Sequence, residues 1–130
     1  MSRSAEPAAD HVDPPSLNFA VLRGQCSSPP EVRVLPSGQV LAQVQVTTRG
    51  SEKAVSVPVA VWSPAAWVET LEAGDEIVVV GSVRRRFFRA GGATASRVEV
   101  EAEAIARARD RRRLAALRKR VDQLLGELDG

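Results

Sequence analysis

Cysteine, histidine and tyrosine are nearly absent from this chain of 130 residues, which has one Cys, one His and no Tyr. With Cys26 alone, neither an intrachain disulfide nor a cysteine-based zinc site can form. With His11 alone, a His-based triad or a multi-His metal site lacks its partners. Carboxylates do not cluster for a two-metal centre, which needs several that converge. The groupings are Asp75-Glu76 and the alternating Glu99, Glu101 and Glu103, which by parity are expected to share one exposed strand face. No glycine-rich phosphate loop precedes a helix. The opening "MSRSAEPAADHVDPPS" has no apolar signal core, and no apolar run is long enough to span a membrane. The sequence therefore predicts no enzyme, no metal, no cofactor, no membrane contact, and a reducing, cytoplasmic setting.

Charge is balanced overall at +2 but unevenly spread. Residues 1–17 sum to −2, residues 18–103 to zero and residues 104–130 to +4. Residues 1–16 are rich in Ala, Pro, Ser and Asp without apolar periodicity, and are expected to form a disordered arm. Inside the balanced middle, "GSVRRRFFRAGG" (residues 81–92) concentrates positive charge beside two of the five aromatic side chains. A strand alternates its faces, so Val83, Arg85 and Phe87 share one side and Arg84, Arg86 and Phe88 the other. Two readings stay open on this stretch alone: a surface for a charged polymer with flat bases, or a core Phe87 with solvated arginines.

Residues 17–103 read as strands. "LNFAVLRGQC" is apolar on both faces, "SSPP" breaks it, and "EVRVL" resumes before a "PSG" turn. "QVLAQVQVTT" alternates strictly, with Val40, Ala42, Val44 and Val46 on one face. After the "RGSEK" loop, "AVSVPVAVW" turns Val55, Val57, Val59 and Val61 inward, and Pro58 marks an edge or a bulge. "SPAAWVETLEAGD" predicts a short helix, with Ser63 as N-cap, Pro64 in the first turn and Gly74 as the stop. Trp67 on it is expected to pack. "EIVVVGSVRRRFF", a "RAGG" turn and the return strand "ATASRVEVEAEA" follow. This order, three strands of which the first is broken, a short helix, then two strands, is that of a five-stranded OB barrel. The fold class is mainly β, and the open face of such barrels commonly binds oligonucleotides.

Gly24, the "PEVR" of residues 30–33, the "PSG" of residues 36–38, the alternating strand, "VAVW", Gly74 and "EIVVVGSVRRRF" recur in the order and near the spacing of a known family. In these motifs the sequence resembles the bacterial single-stranded-DNA-binding proteins over about residues 18–103. The resemblance implies non-sequence-specific binding of single-stranded DNA in replication, recombination or repair. It places Trp62 and Phe88 where the family stacks bases; strand parity puts both on outward sets and Phe87 in the core, and on this reading Arg84, Arg86 and Arg89 neutralise phosphates, with Arg33 and Arg49 as weaker candidates. The chain departs from the family near Ser56 and in "RGSEK", where two tryptophans are missing. It also lacks the acidic C-terminal tip, as a divergent paralogue would. Two lost platforms weaken binding by about 2–6 kcal/mol at roughly 1–3 kcal/mol per base.

Residues 104–130 predict a basic amphipathic helix. Leu114, Leu117, Val121, Leu124 and Leu128 are spaced 3, 4, 3, 4, an a/d seam over two heptads. The seam admits docking on the chain's own barrel, self-association, or another partner. With the two-faced first strand, it leads to an expected dimer or tetramer. Two alternatives remain beside single-stranded DNA: an OB-scaffold interaction module acting through the seam, and single-stranded RNA.

Overall fold

The computed structural model describes residues 16–129, so the expected arm falls almost wholly outside the described residues. Six strands follow one another: β1 (Ala20–Cys26), β2 (Glu31–Val34), β3 (Val40–Arg49), β4 (Ala54–Trp62), β5 (Glu76–Ala90) and β6 (Ala93–Arg107). A helix, α1 (Arg111–Gly126), closes the chain. The sheet runs β1-β5-β6-β4-β3, and β3 returns to β1 through Gln25↔Thr47 and Cys26↔Val46. That return closes a five-stranded barrel with OB-like connectivity. β2 continues along β3, from Glu31↔Gln43 to Val34↔Val40, so β1 and β2 are two pieces of one broken strand.

The alternation read from the sequence sets the barrel interior. Ala42, Val44 and Val46 of β3, Val59 and Val61 of β4, Ile77 and Val79 of β5 and Val100 of β6 form one buried cluster with Cys26. Burial, with a smaller contribution from Asp75, pushes the Cys26 thiol up to about 11, which keeps it a neutral packing group at physiological pH. β4 meets β6 in parallel over only two residue pairs, Val59↔Val100 and Ala60↔Glu101. Pro58 pairs with Gln45 on β3 and has no β6 partner, the edge position its missing N–H requires.

The helix expected between β4 and β5 is instead a 3₁₀ turn, Ala66–Thr70. Ser63 does not cap it: Ser63 adopts a left-handed φ of 49°, and the cap position falls to Ala65, which makes no side-chain capping bond. The reason lies in what the segment must bury. Val68 and Leu71 are both buried in the barrel cluster, three residues apart. Leu71 is already extended (φ −63°, ψ 143°), so the chain leaves the helical path after Thr70 and sets both side chains into the cluster. Gly74 does not stop it either: the turn ends at the extended Leu71, and Gly74 follows in a separate turn at φ 94°.

The C-terminal boundary lies later than residue 104. β6 runs through Arg107, and α1 begins only after Asp110, whose carboxylate accepts from Arg113 N at 3.1 Å. The β5–β6 register shifts between Val80↔Ala104 and Gly81↔Ala102, which leaves Glu103 unopposed as a bulge. Glu103 is engaged by both Arg120 Nε and Arg120 Nη2, fastening α1 to the barrel.

The leucine seam of α1 docks on the chain's own barrel. Leu117 and Leu124 are buried with Val78, Val80 and Ala106, and Leu114, Val121, Leu17 and Phe19 pack around them. Leu128 is exposed. The two features that ask for a second copy, the apolar outer side at the start of β1 and the seam, thus find most of their cover within the chain. Leu117→Ala is expected to cost about 2–4 kcal/mol in a urea unfolding curve, and Leu128→Ala less than about 0.5 kcal/mol. Equal costs at the two positions would mean that the seam is organised by something other than the barrel.

Candidate nucleic-acid interface

Outward-facing residues of β3, β4, β5 and β6 and the neighbouring edge of β2 meet on one side of the barrel. Leu41 of β3 lies between Trp62 of β4 and Arg33 of β2 in the register, and is wholly buried although it belongs to the outward set. It floors an open groove of about 390 Å³ lined by Arg33, Leu35, Leu41, Gln43, Arg86, Phe88, Arg89 and Arg97. Arg33 reaches Gln43 Oε1 at 3.4 Å, and Arg89 donates to Gly92 O at 3.2 Å at the hairpin tip. The Arg86 guanidinium lies over the Trp62 ring, 5.8 Å from its centroid, which joins Trp62 to the same surface.

Of the residues expected from the sequence, Arg33, Arg86, Phe88, Arg89 and Trp62 therefore converge. Arg84 shares the outward face but does not line the groove; it pairs with Glu101 at 3.3 Å. Arg49 stands at the far end of β3, opposite Ala54, away from the groove. Arg97 is a lining residue that the sequence reading did not single out. Its signal was register: it lies directly across from Arg86.

Beneath the arginines sits a buried carboxylate. Glu99 is 5% exposed, with Arg86 Nη1 at 3.6 Å and Arg97 Nε at 3.8 Å. These separations suit Coulomb attraction but exceed hydrogen-bond length. One acid thus holds two guanidinium groups side by side, while Arg86 Nη1 and Arg97 Nε keep no protein acceptor. The groove side then has more cations than carboxylates, with an aromatic at each flank.

Phe87 is not in the core. It is 67% exposed, more than Phe88 at 41%. Parity put Phe87 on the inward set correctly, but the barrel ends before it. β1 covers β5 only as far as Ala20↔Gly81, and β6 leaves β4 beyond Val100. Residues 84–99 therefore project as a two-stranded ribbon, closed by Gly91 and Gly92 at φ 58° and 82°, the signs a two-residue type I′ turn requires. Val83 and Val98, inward by parity, are exposed for the same reason.

Trp67, by contrast, packs against the core, flanked by the Arg107 and Arg113 guanidinium groups at 5.1 and 5.3 Å from its ring centroid. Among the described residues no group of three or more His, Cys, Asp or Glu is placed to hold a metal ion, and no helix is long and apolar enough to cross a membrane.

Fold and groove together define a class: a closed OB-like barrel bearing an arginine-lined, aromatic-flanked cleft on its outer face. No protein-family model matches the chain, and neither does any curated protein.

Proposed function

We propose that this is a non-enzymatic OB-fold protein that binds single-stranded DNA without sequence preference, in the manner of the bacterial single-stranded-DNA-binding proteins it resembles, in replication, recombination or repair. The observation that carries the reading is the convergence of Arg33, Arg86, Arg89 and Phe88 on one cleft, with Trp62 held under Arg86. Such a surface does two jobs. The aromatic rings and guanidinium planes accept the flat faces of unpaired bases, which a duplex keeps stacked inside itself. The cationic heads neutralise the phosphates between those bases. Glu99 sets Arg86 and Arg97 side by side, so that ordering them costs less when a strand arrives. The interaction-module alternative is weakened, because four of the five seam residues pack against the chain's own barrel.

The test is a titration with oligo-dT, oligo-rU and duplex DNA at several salt concentrations, read by Trp fluorescence. Oligo-dT is expected to bind much more tightly than duplex. Its log affinity should fall with log salt at a slope of about −2 to −3.5, from three to five neutralised phosphates at roughly −0.7 each. Equal affinity for duplex and single strand overturns the stacking mechanism, and preference for oligo-rU moves the assignment to RNA.

A further inference from the structure

The projecting ribbon has two faces, and the groove uses one of them. On the groove face the carboxylates at the ribbon's base sit among the arginines: Glu101 against Arg84, and Glu99 against Arg86 and Arg97. The opposite face carries Val83, Arg85 and Phe87 from β5, with Val98 and Ser96 directly across from Arg85 and Phe87 on β6; Arg89 and Thr94, the next pair, share this parity, but at the hairpin tip Arg89 also lines the groove. Neither strand contributes a carboxylate to that face. Arg85 reaches only a hydroxyl, donating to Ser96 Oγ at 3.0 Å, and makes no ion pair among the described residues. Beside it stands the most exposed aromatic ring of the ribbon.

We infer that this far face is a second nucleotide-binding subsite. The Phe87 ring stacks one base and Arg85 neutralises a neighbouring phosphate, so that a strand leaving the groove crosses the ribbon and is held on both sides of it. The occupant is single-stranded nucleic acid and not a second copy of the chain. An uncompensated cation beside a bare aromatic ring complements a polyanion with flat bases, whereas a second copy packed through this same face about a twofold axis would offer Arg85 no carboxylate, since neither strand carries one there. The inference rests on the function proposed above.

The experiment compares oligo-dT of about 8 and about 30 nucleotides, the first short enough for one barrel face and the second long enough to pass the ribbon. Anisotropy titrations of the full chain are run beside Phe87→Ala, Phe87→Tyr and Arg85→Gln. Phe87→Ala is expected to weaken the long oligonucleotide about tenfold, to leave the short one unchanged and to leave the melting curve unchanged. Phe87→Tyr should restore binding. Arg85→Gln should make the salt slope for the long strand shallower by about 0.7. Wild-type-like binding of both lengths by Phe87→Ala overturns the subsite while leaving the groove intact. Equal weakening at both lengths also overturns it, making Phe87 part of the groove. A fall in molar mass by light scattering with DNA affinity unchanged assigns the face to a second copy. Failure of the wild-type chain to bind either oligonucleotide removes both this inference and the function it rests on.

Discussion

Gly81→Ala is expected to destabilise the barrel by about 3 kcal/mol, at the upper end of what overpacking costs. A Cβ at Gly81 would stand 2.1 Å from the carbonyl oxygen of Glu101 and 2.9 Å from its carbonyl carbon. Both are backbone atoms of the strand paired with it, so no side chain can swing aside. The position is also where β5 leaves the cover of β1, and opposite the stretch where β6 touches β4 through Val100 and Glu101. Pushing β6 away there strains the narrowest seam of the closure. A thermal melt should show a midpoint lower by roughly 10 °C or more for a domain of this size. Gly38→Ala is the control with respect to space: nothing lies within 4 Å of its Cβ, and only the turn's φ of 90° opposes the change. If Gly81→Ala melts like the wild type, the strands are not pressed together as described.

Replacing Trp62 and Phe88 together by Ala is expected to lower affinity for oligo-dT by at least about 30-fold, from two lost platforms at roughly 1–3 kcal/mol each. The measurement is anisotropy of a labelled oligonucleotide, because removal of Trp62 takes away part of the intrinsic fluorescence signal. Phe88 is partly exposed, so its truncation alone should leave the melting curve nearly unmoved. Trp62 lies opposite Leu41 in the register, and its truncation uncovers that buried leucine at some cost in stability. Binding is therefore compared at a temperature well below both midpoints. An affinity loss under about threefold in the double variant would remove stacking as the source of binding.

The barrel was readable wherever a strand buries one face and shows the other. Val44 and Val46 alternate with Gln43 and Gln45, and that period of two fixes their direction without further information. "EIVVV" carried a second message, because a run with no alternation is covered on both sides. The cover on Val78 and Val80 comes from α1, so the seam's destination was written in β5 as well as in the helix. Phe87 shows where such reading stops. Parity assigns a face, but burial also needs a neighbour beneath that face, and where β1 and β4 end is a tertiary fact. The 3₁₀ turn was unreadable for a related reason: Ser63 and Pro64 look like the start of an α-helix, and only the tertiary burial of Val68 on the turn and of the extended Leu71 after it ends the winding within five residues. In the groove, Arg86 was legible as a charge beside aromatics, and Arg33 only as a weaker contact on the family resemblance. Arg97 was not, since its place depends on a cross-strand register set by the turn at Gly91 and Gly92.

The ribbon's separation from the barrel core lets reach and stability vary independently. Residues 84–99 hold none of the buried cluster, so adding one residue pair at the tip would lengthen the arm by about 3.4 Å while the interior packing stays as it is. Each added pair also exchanges the side chains that the tip presents above and below. Selection can thereby adjust how far from the barrel a strand is gripped, and by which face, through short insertions next to Gly91 and Gly92. A domain that kept its contacts on the barrel wall would have to alter its core to achieve the same change.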